Sequence, residues 1–282
     1  MGGFMAENDI FGKKVFFLYP SHTFQSDVLE RLRTLEYESY IINDYKNVKN
    51  ILRKHPKSIL FINPDNYYTP GSWIKFINTI EQESEFSDCE VGVITERHET
   101  ETVRRFMRET KHTAGVFKMN ENPDITLREI VKSLDSFNAK GRRQYVRASC
   151  IEDPSSEIFW IKNNIMFKFK IIDISAAGIA VQIPVRQIRT IRENQIITNI
   201  SLMLNAKQML INVKVFALKP GTEFYTGILM IQVDTNKKSL ESIRSYVSET
   251  LHRKIEDSIF GMPPDKEDYT VIERRIKTES SK

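Results

Sequence analysis

The chain has 282 residues, 40% hydrophobic and 28% charged, the balance of a globular protein long enough to bury two separate cores. Its 41 Lys and Arg against 37 Asp and Glu leave a formal charge of only +4, so bulk electrostatics does not call for nucleic acid, and any recognition of an anion must come from local clustering. No stretch reaches the ~18 apolar residues of a membrane span, and the first residues lack the basic region and apolar run of a secretion signal, so a cytoplasmic location is expected.

In chain order, residues 1–12 read as a flexible N-terminus. Residues 15–19 form a compact apolar run that stops at Pro20, as a buried strand does. A helical face follows with Phe24, Val28, Leu32 and Leu35. A short strand at 40–42 precedes a short helix marked by Val48, Ile51 and Leu52, which ends at Pro56. Strands at 59–62, 91–94 and 115–119 alternate with helical faces carrying Trp73, Ile74, Ile77 and Ile80, then Val103, Phe106 and Met107. A helix over 125–137 closes the series, with Leu127, Ile130, Val131 and Leu134 inward. Strand and helix repeated five times predict an α/β domain over 13–137, a flavodoxin-like, doubly wound parallel sheet covered on both faces.

The order and lengths of these elements resemble a response-regulator receiver domain. Thr95 ends the fourth strand and Lys118 the fifth, where receivers keep a hydroxyl and a lysine. The departures matter more. Where a receiver carries an acidic pair for Mg²⁺ the chain has Tyr19-Pro20-Ser21-His22, and the end of the third strand reads Ile62-Asn63-Pro64-Asp65. A hard divalent ion wants several oxygen ligands, and these are missing. The domain is expected to be a pseudo-receiver that serves as a docking surface, its sheet end capped by ordinary loop residues.

Residues 138–147 form a polar linker that carries Gly141-Arg142-Arg143-Gln144-Tyr145-Val146-Arg147. Beyond it the pattern becomes all-β. Strands are predicted at 158–161, 166–172, 179–183, 196–205, 209–218 and 224–233, with a hairpin at Asn163-Asn164 and a turn at Ala206-Lys207-Gln208. Six or seven short strands without intervening helices predict a barrel over 148–260. Ser239 opens a helix with Leu240, Ile243, Tyr246, Val247, Leu251 and Ile255 on one face, suited to plugging a barrel end. Residues 261–282, after the break at Met262-Pro263-Pro264, read as a disordered tail.

Two motifs sit in this half: Arg143-x-x-x-Arg147, and Asp173-x-Ser175-x-x-Gly178 in a turn between two apolar strands. Together with the six-stranded barrel and its trailing helix, they resemble a PilZ domain, a receptor for the bacterial second messenger cyclic di-GMP. The resemblance covers residues 140–258. It implies that Arg142, Arg143, Arg147, Asp173, Ser175 and Gly178 bind cyclic di-GMP. The chemistry suits the ligand: an arginine fork bonds phosphate bidentately, meets the O6/N7 edge of guanine and stacks on aromatic rings. Arg143 and Arg147 would grip guanine and phosphate, and Arg142 adds a third cation of the kind that accompanies a stacked ligand pair. Asp173 accepts from the N1–H and N2–H₂ edge of guanine. Ser175 offers a small hydroxyl, and Gly178 lets the backbone approach a bulky ligand.

Other features stay unassigned. Arg186, Arg189 and Arg192 read as a solvated basic face. The histidines His22, His55, His98, His112 and His252 show no metal spacing, Cys89 and Cys150 form no C-x-x-C pair, and Cys150 has no activating neighbour in sequence. No nucleophile elbow, phosphate-binding loop or catalytic triad is present, so the chain is expected to be neither an enzyme nor a holder of a cofactor or metal. The expected function is that of a cyclic di-GMP effector. Ligand capture would order a connector, mobile at residues 138–141, and re-aim the N-terminal domain toward a protein partner. The rival reading is a PilZ-fold scaffold or interaction protein that binds no nucleotide. Phosphorylation control through Asp65 ranks below it, and binding of nucleic acid through Arg142–Arg147 and the late basic tail ranks last.

Overall fold

The computed structural model describes residues 12–65, 68–96, 100–162 and 164–263. Most of the expected flexible N-terminus, the tail from residue 264, His98 and Asn163 lie outside the described residues. The chain divides into two compact units, Met1–Gln144 with His252–Lys282, and Tyr145–Leu251.

The first unit is an α/β domain. Strands β1 (Val15–Leu18), β2 (Ser39–Ile42), β3 (Ile59–Ile62), β4 (Glu90–Thr95) and β5 (Gly115–Lys118) form one parallel sheet in the order β2-β1-β3-β4-β5, the flavodoxin-like order. Val15 registers with Ser39 on one side and Ile59 on the other. β1 and β3 are buried along their whole length, which is why they read as unbroken apolar runs.

The helices start where local chemistry tells them to. The first, α1, runs from His22–Phe24 through a π-helical turn, Gln25–Leu29, into Glu30–Thr34, and the Ser21 hydroxyl accepts from the Phe24 amide at 3.1 Å. After α2 (Val48–Lys54), α3 (Pro70–Gln82) begins with Thr69 as its cap and Pro70 in its first turn. After α4 (Thr100–Glu109), α5 (Pro123–Ser136) repeats the device with Asn122 and Pro123.

Two expected core residues lie outside. Leu35 is exposed because the π turn rotates the face and the helix ends at Thr34, where Glu36 takes a positive φ. Met107 is exposed because Phe106 already fills the inward position next to it.

The second unit is a barrel. Strands β7 (Glu157–Lys162), β8 (Ile165–Ile174), β9 (Gly178–Pro184), β10 (Ile196–Leu204), β11 (Lys207–Lys219) and β12 (Phe224–Ile231) pair antiparallel in the order β8-β7-β10-β11-β12-β9. The pairing of β8 with β9 closes the ring, and a two-residue strand, β6 (Ala148–Ser149), adds to β8 outside it. Inward residues alternate along each strand and fill the interior with Ile158, Phe169, Val181, Leu202, Val213 and Leu229. The hairpin joining β10 to β11 is tighter than expected. Leu204 pairs directly with Lys207, and Asn205 and Ala206 alone make the turn, both at positive φ.

The last helix, α6 (Lys237–Ile259), places Ile243, Tyr246 and Val247 in the barrel's core cluster. Among the described residues no helix is long and apolar enough to cross a membrane.

Candidate functional site

β6 brings the two sequence motifs together. Ala148 pairs with Ile174 and Ser149 with Asp173, so the residue just before β6, Arg147, lies beside the end of β8. Arg147 Nη1 is 4.0 Å from Asp173 Oδ1, with the side chains 51% and 35% exposed. An ion pair this long and this wet contributes little to stability. The two groups stand close and open to solvent, a fork of donors facing a pair of acceptors.

Asp173 is also adjacent to the barrel's closing seam. The β8–β9 ladder shifts register between Ile171 and Asp173, then resumes with Asp173 opposite Ala180 and Ile174 opposite Ile179. An irregularity of this kind re-aims side chains at sheet edges and next to binding sites.

The turn after β8 is built by its own residues. The Ser175 hydroxyl accepts from the Ala177 and Gly178 amides at 3.3 and 3.2 Å, and the Ser175 amide donates to the Gly178 carbonyl at 2.9 Å. Ser175 is buried. Its hydroxyl serves the turn, in the manner of a Ser side chain that mimics backbone. Gly178 sits opposite Met230 of β12, and a Cβ there would lie 2.8 Å from the Leu229 carbonyl oxygen. The close approach that requires glycine is therefore to β12.

Arg142 is exposed and Arg143 half-buried, and both belong to the first unit, whose division from the second falls after Gln144. Arg142–Arg147 lies outside helix and strand up to the start of β6.

Residues 138–141, expected to be mobile, are hydrogen-bonded into the first unit. Asn138 takes a φ of 52°, its amide donates to Asp135 and that of Ala139 to Leu134, the double bond of a Schellman cap on α5. Ala139 is buried in the unit's core, its carbonyl accepts from the Lys13 amide at 2.9 Å, and the Lys140 ammonium lies 4.5 Å from the Tyr37 ring centre. Gly141, at φ 60°, then turns the chain out. The polar composition that suggested a tether is the signature of a helix cap.

A second polar group surrounds the loop between β6 and β7. The Tyr246 hydroxyl, on α6, donates to Asp153 Oδ2 at 2.8 Å, lies 2.8 Å from Ser156 Oγ and is 3.5 Å from Cys150 Sγ. Tyr246, Ser156 and Cys150 are all buried. Burial pushes the Tyr246 phenol well up and the Cys150 thiol up, so both stay protonated at neutral pH. Burial also pushes the Asp153 carboxyl up, but hydrogen bonds from Ser155, Ser156 and Tyr246 outweigh that and hold it below its ordinary value. The helical periodicity places Tyr246 on the inward face. The partners of its hydroxyl had no local sequence signal.

In the first unit, the carboxyl end of the parallel sheet gathers Asp65, Thr95 and Glu96. Thr95 Oγ1 and the Glu96 amide each donate to the Asp65 carboxylate at 2.5 Å, and the Ser21 hydroxyl donates to Glu96. The neighbouring cleft is walled by Phe17, Phe24, Phe61, Ile94 and Met119. Among the described residues no group of three or more His, Cys, Asp or Glu is placed to hold a metal ion. Lys118 ends β5, level with Thr95, and is exposed. Cys89 and Cys150 are both free thiols. Arg186 and Arg189 lie in or beside a short 3₁₀ turn, Val185–Thr190, and with Arg192 are exposed.

No family model matches the chain, and no curated protein matches it. Solved structures do. The chain is similar to the K. pneumonia MrkH–c-di-GMP complex, at 16% identity and a TM-score of 0.37, over 41% of this chain and 55% of that one. It is similar to the PilZ domain of YcgR from Escherichia coli, solved with c-di-GMP, at 14% identity and a TM-score of 0.36, over 43% of this chain and 99% of that one. A third is the Bacillus subtilis inhibitor of motility MotI/DgrA, at 19% identity and a TM-score of 0.33, over 40% of this chain and 52% of that one. The matched region thus spans about half the length of MrkH and of MotI.

Proposed function

We propose that the barrel is a PilZ domain and that the protein is a non-enzymatic effector of cyclic di-GMP, which binds at Arg147 and Asp173 with Arg142 and Arg143 supplied from the segment just upstream. The observation that carries this reading is the pairing of β6 with β8. It sets an arginine fork against a carboxylate, both solvent-open, at the seam of a closed six-stranded barrel. Cyclic di-GMP offers two phosphodiesters and two guanine edges, so it needs cationic forks and a carboxylate acceptor side by side. Separating a loose surface ion pair costs little, and the ligand replaces it with bidentate contacts.

Ser175 and Gly178 contribute by holding the turn that presents Asp173. The N-terminal unit, with Asp65 already bonded by Thr95 and Glu96, serves as a pseudo-receiver and docks a protein partner, and the protein works in the cytoplasm without nucleic acid or cofactor. Capture of the ligand changes the arrangement of the segment 142–147, which lies between the cap of α5 and β6.

Titration calorimetry with cyclic di-GMP tests the reading. The wild type is expected to bind, and Arg143→Ala and Asp173→Ala are expected each to weaken binding at least tenfold. Tight binding that survives both substitutions overturns the site. A flat titration on folded wild-type protein overturns the receptor in favour of a scaffold.

A further inference from the structure

We propose that Tyr246 is the positioning residue of the ligand site: its hydroxyl fastens the loop between β6 and β7, and through that loop it holds Arg147 against Asp173. This inference rests on the assignment of those two residues to the ligand.

β6 is too short to hold itself in place. It has two ladder pairs, Ala148 with Ile174 and Ser149 with Asp173, extended by one bond from the Cys150 amide to the Ile172 carbonyl at 2.8 Å. Short two-stranded pairings are marginal in water without packing from elsewhere. That support comes from the far side of the loop. The Asp153 amide donates to the Cys150 carbonyl at 3.0 Å and the Ser156 amide to the Asp153 carbonyl at 3.2 Å, which folds residues 150–156 into successive turns. Asp153 then collects the Ser155 hydroxyl at 2.6 Å and the Ser156 hydroxyl at 2.5 Å.

The Tyr246 hydroxyl meets this loop at three points, Asp153, Ser156 and Cys150. The loop therefore has one buried anchor on α6, and the arginine that faces Asp173 is three residues before its first residue. A core built for stability alone would seat an apolar ring here. The hydroxyl and carboxylate instead impose direction, because a buried polar cluster is satisfied in only one arrangement.

Tyr246→Phe keeps the ring and removes only the hydroxyl. Two readouts are taken on protein shown to be folded: affinity for cyclic di-GMP, and hydrogen exchange at the amides of Ala148 and Cys150 against those of β10 and β11. The expected result is about a tenfold loss of affinity, the cost of one hydrogen bond, with faster exchange at 148 and 150 and unchanged protection in β10 and β11. Asp153→Asn, which still offers an acceptor to the phenol, is expected to keep most of the affinity where Asp153→Ala loses it. Affinity and exchange both as in the wild type overturn the proposal, as does an exchange increase spread over the whole barrel, which marks a purely structural residue. If Tyr246→Phe fails to fold, Ser156→Ala is measured in the same way. Should the wild type bind no cyclic di-GMP, the function assigned above fails, while the exchange at 148 and 150 still decides whether Tyr246 holds β6.

Discussion

Arg147 and Asp173 face one another at 4.0 Å although they stand 26 positions apart in the chain, because Ser149 pairs with Asp173 and carries the arginine alongside. The separation is too wide for a tight ion pair, and both side chains keep hydrogen-bonding capacity turned to water. Removing either one should leave the barrel nearly as stable as before, within about 1 kcal/mol by urea denaturation. Removing either should cost cyclic di-GMP affinity tenfold or more by calorimetry. A large loss of stability in Arg147→Ala would make the pair a structural strut.

Gly178→Ala should have the opposite profile. The new methyl would meet the Leu229 carbonyl at 2.8 Å, and neither partner is a flexible side-chain end. Overpacking of this kind costs about 1–3 kcal/mol, read as a lower denaturation midpoint, while the folded fraction loses less affinity than Asp173→Ala does.

His55 should make stability depend on pH. Burial, then the charge of Lys14, lowers its pKa to about 4 from the ordinary 6.5, against the opposing pull of Glu38 and with Lys54 adding to the decrease. The unfolded chain therefore takes up the proton first as pH falls. Stability is complete above about pH 6.5, declines as pH drops from 6.5 toward 4, and levels off below that. The decline should be about 1–2 kcal/mol once solvent screening of the partly exposed ring is allowed for. Denaturation midpoints across pH 4 to 7 should show this slope in the wild type and a flatter one in His55→Gln.

Asp65 should behave as a structural residue. Its carboxylate already accepts from Thr95 and from the Glu96 amide, so Asp65→Ala should destabilise the first unit by about 1–3 kcal/mol. Incubation with Mg²⁺ and a small phosphoryl donor should leave the protein's mass unchanged. A gain of one phosphoryl group at Asp65 would restore the receiver as a working switch.

Periodicity was enough for the two-part fold, since fully buried parallel strands and half-buried barrel strands leave different patterns, as β1 and β8 do. It failed where the local rule is not periodic. The π turn in α1 moved Leu35 outside, and the hairpin at Asn205 and Ala206 closed a residue earlier than its polarity suggested. β6 has no sequence signal at all, because two residues cannot show alternation. The arginines and Asp173 were legible as types, but their meeting depended on that unseen strand. The loop lock was half legible: an inward tyrosine shows in the helical pattern, whereas the serine and aspartate it meets lie 90 and 93 positions away.

The way Ser175 and Gly178 are used bears on how related sequences should be sorted. Their chemistry is spent inside the protein, on the turn and on the backbone of β12. A lineage that stopped sensing the nucleotide would still be under pressure to keep both, for the sake of folding. The same lineage would be free to lose Arg147 and Asp173 at little cost. A survey that ranks candidate receptors by the whole D-x-S-x-x-G signature would then count silent barrels as sensors, and on the site proposed above the loosely paired Arg147 and Asp173 are the positions that would separate one kind from the other.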